Sequence, residues 1–214
     1  MTKLISSSYL SYGLFGLPLA MVALPIYVYV PQFYAEQFGL SLTLIGAALL
    51  AARVLDAFID PLIGLWIDGA KNNHGYGRFI LISLPLLLAG FTLLFHPPLM
   101  SHGYAIGWFV ISLMMVYAGF SLATIAYQSW GAALTQALAE RSRLSATREG
   151  FGRLGVILAA SLTGMIGMSG LTIIFVAALL ISAAVLLKKS PNPVYAEPVH
   201  IGMSSLLEPF HNAK

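Results

Sequence analysis

The most distinctive chemistry in the sequence is a set of charged residues inside an apolar stretch. Arg53, Asp56 and Asp60 lie within the run AARVLDAFIDPLIG, which begins at Ala51. At about 100° per residue, their side chains fall within about 60° of one another on one face of a helix. These three residues therefore form a single polar stripe.

This polar stripe requires a compensating partner. A charged side chain in the middle of a membrane helix costs about 2.5–3.5 kcal/mol on insertion scales. Two carboxylates one turn apart repel each other, so in a low-dielectric site they hold a proton or bind a cation. Pro61 also removes a backbone donor and frees the carbonyl oxygen of Ala57 nearby. These oxygen ligands predict a cation site at Asp56 and Asp60, and a metal site for Na⁺ if the protein is sodium coupled.

Two other interpretations of the stripe stay open at this point. In the first, Arg53 is a charge partner that neutralises one aspartate, and the stripe only holds the helix against a neighbour. In the second, the aspartates are the paired carboxylates of an intramembrane protease. The spacing disfavours the second interpretation, because such carboxylates face each other across a water and these two share one helix. We therefore do not predict an enzyme.

A second polar cluster lies in the fourth apolar run. Tyr117, Ser121, Thr124 and Gln128 follow helical spacing. Hydroxyls in buried helices often bond to their own i−4 carbonyl, so this cluster has a structural interpretation as well as a functional one. Arg148, at the start of the fifth run, could hold a polar solute, pair with an aspartate or extend to the lipid headgroups.

Composition places these residues in a membrane. Hydrophobic residues make up 58% of the 214 residues and charged residues 9%, whereas soluble domains contain about 25% charged residues. The apolar runs are long and unbroken, which favours helices over a membrane barrel. The net charge of +3 is scattered, so we predict no nucleic-acid partner. We predict no bound cofactor, since the sequence has no phosphate-binding loop and no cysteine.

The sequence predicts an all-α membrane protein with six transmembrane helices, because a bilayer core about 30 Å thick needs ~20 helical residues. The predicted spans are 10–30, 41–67, 79–95, 104–130, 150–168 and 171–187. Only Ser169 and Gly170 separate the last two spans. That separation permits either a tight helical hairpin or one bent helix.

The basic residues predict the orientation. Outside the spans, lysine and arginine occur before the first span and after the second, fourth and sixth, while the alternate loops contain none. The positive-inside rule therefore places both termini in the cytoplasm. We expect residues 1–189 to form the transmembrane domain and residues 190–214, with four prolines, to form a cytoplasmic linker or tail. Because that segment stops without a cap, we expect a chain truncated before a second half.

The residue pattern resembles a known family, the melibiose-permease-like glycoside-pentoside-hexuronide:cation symporters of the major facilitator superfamily. The resemblance rests on the stretch 53–64, on Tyr12-Gly13, and on Arg148. It also includes the residues of a cytoplasmic loop motif, namely Gly64, Asp68, Gly77 and Arg78. The resemblance implies twelve helices in two six-helix halves, with solute bound between them. This chain would be the N-terminal half.

The resemblance also implies roles for individual residues. Asp56, Asp60 and Ser121 would bind the cation, and the loop motif would lock the inward and outward forms. Solute would bind near Tyr27, Thr124, Gln128 and Arg148. The acidic sugar-binding positions of melibiose-type members are Leu19 or Ala20 and Thr124 here, and an aromatic position is Gln128. Galactoside specificity is therefore not expected.

The sequence leads to the hypothesis of secondary active symport. A small polar solute, expected to be a sugar or glycoside, would move together with Na⁺ or H⁺. The expected location is the bacterial inner membrane. The expected partners are membrane lipid, the small-molecule solute, and a missing C-terminal half or a homodimer mate. The alternative is a non-transporting half-transporter or membrane scaffold that needs a partner chain, because a half exposes a polar face.

Overall fold

The computed structural model describes residues 9–135 and 137–190, with the side chains of residues 71–74 and 102 left out. All regular structure in those ranges is helical, which confirms the predicted α class. Nearly all of the expected linker 190–214 lies outside the described residues. Five helices are long and apolar enough to cross a membrane: α1 Tyr9–Phe38, α2 Leu42–Ala70, α3 Gly75–Phe95, α4 Gly103–Leu134 and α5 Leu138–Lys189.

A short turn joins α1 to α2. Gly39 ends α1 in the left-handed conformation, with φ 67°, as is common after a helix C-terminus. Ser41 then caps α2, because its hydroxyl accepts a hydrogen bond from the Leu44 amide at 3.1 Å. This turn connects the two helices that carry Tyr27 and the polar stripe.

A π-helical turn interrupts α1 at Pro25–Tyr29. Pro25 has no N–H to donate to the preceding turn, so the regular hydrogen-bond ladder is broken there. Such wide turns are frequent at functional sites. Tyr27 lies in the middle of this one.

Two glycines with positive φ break the longest helical stretches. Gly75 (φ 66°, ψ 167°) separates α2 from α3, and Gly167 (φ 69°, ψ −175°) interrupts α5. Glycine adopts these angles without the penalty that a Cβ would bring. The sequence predicted a break at Ser169 and Gly170, and the structure has it at Gly167. The fifth and sixth predicted spans are thus the two parts of α5.

The part of α5 after Gly167 packs along α3. Phe175 stacks on Phe91 with ring centroids 4.1 Å apart, and a Cβ at Gly77 would lie 2.9 Å from Leu187. Along this contact, residue numbers therefore increase on α3 while they decrease on α5. These two segments are antiparallel.

The part of α5 before Gly167 packs along α1 in the opposite sense. A Cβ at Gly13 would lie 3.0 Å from Thr147, and one at Gly152 would lie 3.7 Å from Ala20. Residue numbers rise together along this contact, so the segments are parallel. Glycine on both helices permits the close approach.

Two tyrosines fix α1 to α4 in the core. The Tyr12 hydroxyl donates to the Tyr127 carbonyl at 3.0 Å, and the Tyr127 hydroxyl donates to the Tyr12 carbonyl at 2.8 Å. Their rings stack with centroids 4.4 Å apart. Both buried hydroxyls are therefore satisfied. The pair holds in register the two helices that line the cavities described below.

Candidate cation and solute site

The centre of the polar stripe is a contact between α2 and α4. Asp56 is buried, and the Ser121 hydroxyl donates a short hydrogen bond to its Oδ1 atom. Ser121 is itself buried. The two residues are 65 positions apart along the chain, so helical spacing could not predict their contact. Only the family resemblance had assigned them to one site.

Arg53 holds the other oxygen of Asp56 loosely. Its Nη1 atom lies 3.4 Å from Asp56 Oδ2, and the Arg53 side chain is 58% exposed while that of Asp56 is 10% exposed. Charge-assisted hydrogen bonds are normally about 2.7–2.9 Å long. A long, half-exposed pair of this kind contributes little to stability. Arg53 therefore lies beside Asp56 without being fixed there.

Asp60 has a buried oxygen without a partner. Its Oδ1 atom makes no hydrogen bond to the described residues. An unpaired polar atom of this kind costs free energy unless a proton or a cation satisfies it. Asp60 follows Asp56 by one turn, which places Cβ atoms about 6 Å apart, and Pro61 leaves the Ala57 carbonyl without its helical donor.

The chemistry of these groups limits the ion. In the described ranges, no group of three or more His, Cys, Asp or Glu residues could hold a metal. The polar stripe offers two carboxylates, and Ser121 and Ala57 add a hydroxyl and a carbonyl. This oxygen-only set fits a hard monovalent cation or a proton, and does not fit a soft transition metal.

A cavity of about 330 Å³ lies between α1, α4 and the first part of α5, and we call it the larger cavity. Thr124, Gln128 and Arg148 line it together. The Thr124 hydroxyl is buried and has no partner among the described residues. Arg148 pairs with Glu149 at 2.8 Å. A volume near 300 Å³ suits a small ligand.

Tyr27, the fourth predicted solute residue, lines a different space. A smaller cavity of about 60 Å³ adjoins the larger one, sharing Ala23 and Phe120 with it, and Tyr27 lines only this smaller cavity. Its hydroxyl lies 2.7 Å from that of Tyr117. The sequence had placed Tyr117 in the α4 polar cluster but assigned it no role. The only sequence feature that points to a role for Tyr117 is its position one turn before Ser121.

Three of the four loop-motif residues lie near the α2–α3 break at Gly75, and Gly64 lies earlier in α2. Asp68 and Arg78 are exposed on either side of Gly75. Gly77 packs against Leu187, whereas a Cβ at Gly64 would meet nothing within 4 Å. Close packing therefore accounts for glycine at position 77 and not at position 64.

Residues 11–190 match the family described as "MFS/sugar transport protein". The chain belongs to this family of the major facilitator superfamily, whose members are membrane transporters and not enzymes. The five apolar helices agree with that assignment. Both the family resemblance and the prediction of an integral membrane protein are confirmed.

Several curated relatives are transporters. The isoprimeverose transporter of Lactiplantibacillus pentosus is 31% identical over 135 residues, which are 63% of this chain and 28% of that protein. The uncharacterized symporter YjmB of Bacillus subtilis is 27% identical over 186 residues, 86% of this chain and 36% of that protein. A glucuronide carrier protein homolog of Escherichia coli is 29% identical over 119 residues, 55% of this chain and 26% of that protein. The chain thus spans between about a quarter and just over a third of the length of these relatives.

Proposed function

We propose that this chain is the N-terminal half of a symporter that carries a sugar or glycoside together with Na⁺ or H⁺. The observation that carries the proposal is the unpaired, buried Oδ1 atom of Asp60, one turn from an aspartate that Ser121 already holds. A bound cation or proton removes the repulsion between the two carboxylates and gives the unpaired oxygen a partner. The family and the names of the relatives support a sugar as the solute.

We infer that this half crosses the membrane six times, α5 crossing twice. The reversal at Gly167 and the antiparallel packing of Phe175 on Phe91 support this count. An even number of crossings returns the chain to its starting side. The basic residues favour the cytoplasm for that side and, with bacterial relatives, the inner membrane.

The larger cavity is the proposed solute site. Thr124 and Gln128 offer neutral hydrogen-bonding groups and Arg148 a guanidinium, while the carboxylate of Glu149 is engaged by Arg148. These groups suit hydroxyl or carboxylate oxygens of a neutral or anionic sugar. A second six-helix half, or a second copy of the chain, would supply the opposite wall, with lipid around both.

Coupling follows from differential binding. A cation at Asp56 and Asp60 removes the negative charge beside the α1–α4 wall and stabilises one arrangement of that wall. If the solute binds this arrangement more tightly, each ligand raises the affinity of the other by the same factor. Movement of the solute then requires the cation to move with it.

The alternative function is a scaffold that holds partner helices without transport. The apolar face of α2 favours it, since Phe58 is 72% exposed and Leu65 is 70% exposed. Both functions require a partner on such a face, so exposure alone does not separate them. Binding of a solute distinguishes the two functions.

The discriminating experiment is equilibrium binding of a sugar panel to the chain in lipid nanodiscs. The panel includes isoprimeverose and a phenyl glucuronide, each tested in Na⁺, in choline and at lowered pH. We expect one sugar to bind more tightly with Na⁺ or at lower pH. Arg148→Gln should weaken this binding, and Arg143→Gln, exposed on the same helix and outside the cavity lining, should not. Absence of binding under every condition would favour the scaffold.

A further inference from the structure

Arg53 lies at the boundary between the candidate cation site and the solute cavities. Its Nη1 atom is 3.4 Å from Asp56 Oδ2, and its side chain also lines the smaller cavity with Tyr27 and Tyr117. It is the only charged residue among the described residues that line this cavity. One guanidinium can therefore serve either site.

The smaller cavity offers acceptors to that guanidinium. The hydroxyls of Tyr27 and Tyr117 lie 2.7 Å apart, so one donates to the other. Each oxygen retains a lone pair that can accept from an N–H donor. Because Ala23 and Phe120 also border the larger cavity, a guanidinium turned toward the tyrosines lies at the end of the solute space.

Cation binding changes the balance between the two positions. Without a cation, Asp56 attracts Arg53, although the separation is long and the arginine is 58% exposed. A cation at Asp56 and Asp60 neutralises that attraction and adds a like charge beside the guanidinium. The smaller cavity then becomes the better environment.

We propose that Arg53 is a cation-dependent solute ligand, which leaves Asp56 when the cation binds and donates hydrogen bonds to solute oxygens beside the Tyr27–Tyr117 pair. This inference rests on the proposed function of Asp56 and Asp60 as cation ligands. It gives a physical reason why the cation raises solute affinity. It also identifies the solute end nearest Arg53 as rich in hydroxyl or carboxylate oxygens.

The absence of cysteine from the sequence allows a direct test with one reporter thiol. Ala23→Cys places the thiol where both cavities meet. Its labelling rates with an anionic and a cationic methanethiosulfonate are measured in Na⁺ and in choline, and their ratio reports the local charge. We expect Na⁺ to raise the anionic-to-cationic ratio several-fold. We expect no such rise in Ala23→Cys with Arg53→Gln, and a retained rise with Arg53→Lys.

Two controls separate the possible causes. Calorimetry establishes that Na⁺ is saturating for each variant, and Gly152→Cys, which lines only the larger cavity, should show a smaller change. An equal rise of the labelling ratio in Ala23→Cys with Arg53→Gln would assign the effect to the charge of Na⁺ itself and overturn the role of Arg53. Saturable Na⁺ binding without any rise would overturn it too and leave the cation site intact. Absence of Na⁺ binding to the wild type would overturn sodium coupling and, with it, this inference for Na⁺ as the coupling cation.

Discussion

The close contact between α3 and α4 permits a quantitative prediction at Gly119. A Cβ at this position would lie 2.7 Å from the backbone nitrogen of Leu87. Ordinary contact begins at 3.4 Å, so Gly119→Ala requires an opening of about 0.7 Å, the difference between these distances. The obstacle is backbone, so no side-chain rotation relieves it. Overpacking of this kind costs about 1–3 kcal/mol, and we expect the upper half of that range.

Gly107→Ala is the matched control, because Gly107 lies on the same helix and a Cβ there meets nothing within 4 Å. Alanine improves helix propensity by up to about 1 kcal/mol at either position. The difference between the two variants therefore isolates the packing cost. At about 2–4 °C per kcal/mol for a chain of this size, Gly119→Ala should melt several degrees below Gly107→Ala.

The assay is thermal unfolding of both variants in one detergent, monitored by the loss of helical circular dichroism. Equal melting temperatures would refute the α3–α4 packing and the helix arrangement built on it. A lower melting temperature for Gly107→Ala would refute it as well.

Three further predictions concern the core and the cavities. Tyr127→Phe removes a buried hydrogen bond of 2.8 Å to the Tyr12 carbonyl and should destabilise the chain by about 1–3 kcal/mol, whereas Tyr104→Phe, at a 77% exposed position, should leave the melting temperature unchanged. Thr124→Val removes a hydroxyl that lacks a partner, so it should preserve stability while weakening sugar binding by up to about tenfold. Equal sugar affinity in Thr124→Val and the wild type would remove Thr124 from the solute site. Tyr117→Phe should weaken sugar binding more in Na⁺ than in choline, and Tyr29→Phe, on the π-helical turn of α1 and outside the lining of both cavities, should not.

Local features of this protein follow from the sequence, because helix periodicity and hydropathy act over a few residues. The shared face of Asp56 and Asp60 needs only helical spacing. The break in α5 was predicted within three residues, but hydropathy is uniform there and does not distinguish Gly167 from Gly170. The structure places the break at Gly167, because this residue has the positive φ.

Contacts between distant segments did not follow from the residues alone. The Ser121–Asp56 hydrogen bond depends on how α2 and α4 pack, and only the family resemblance indicated it. Tyr27 lies in the π-helical turn of α1 and lines the smaller cavity without reaching the larger one, which the resemblance did not indicate. Side-chain roles transferred from a family therefore need the geometry of the chain itself.

The most direct test of a cation site at Asp56 and Asp60 is calorimetric titration of Na⁺ into the purified chain across pH, comparing the wild type with Asp56→Asn, Asp60→Asn and Glu36→Gln. Glu36 is the control, since it is an exposed carboxylate on α1, outside the polar stripe. We predict saturable binding to the wild type and Glu36→Gln, weakening at low pH as protons compete, and loss of binding in the other two variants. Unchanged binding in Asp56→Asn and Asp60→Asn, or its absence from the wild type at every pH, would contradict a sodium site in this half.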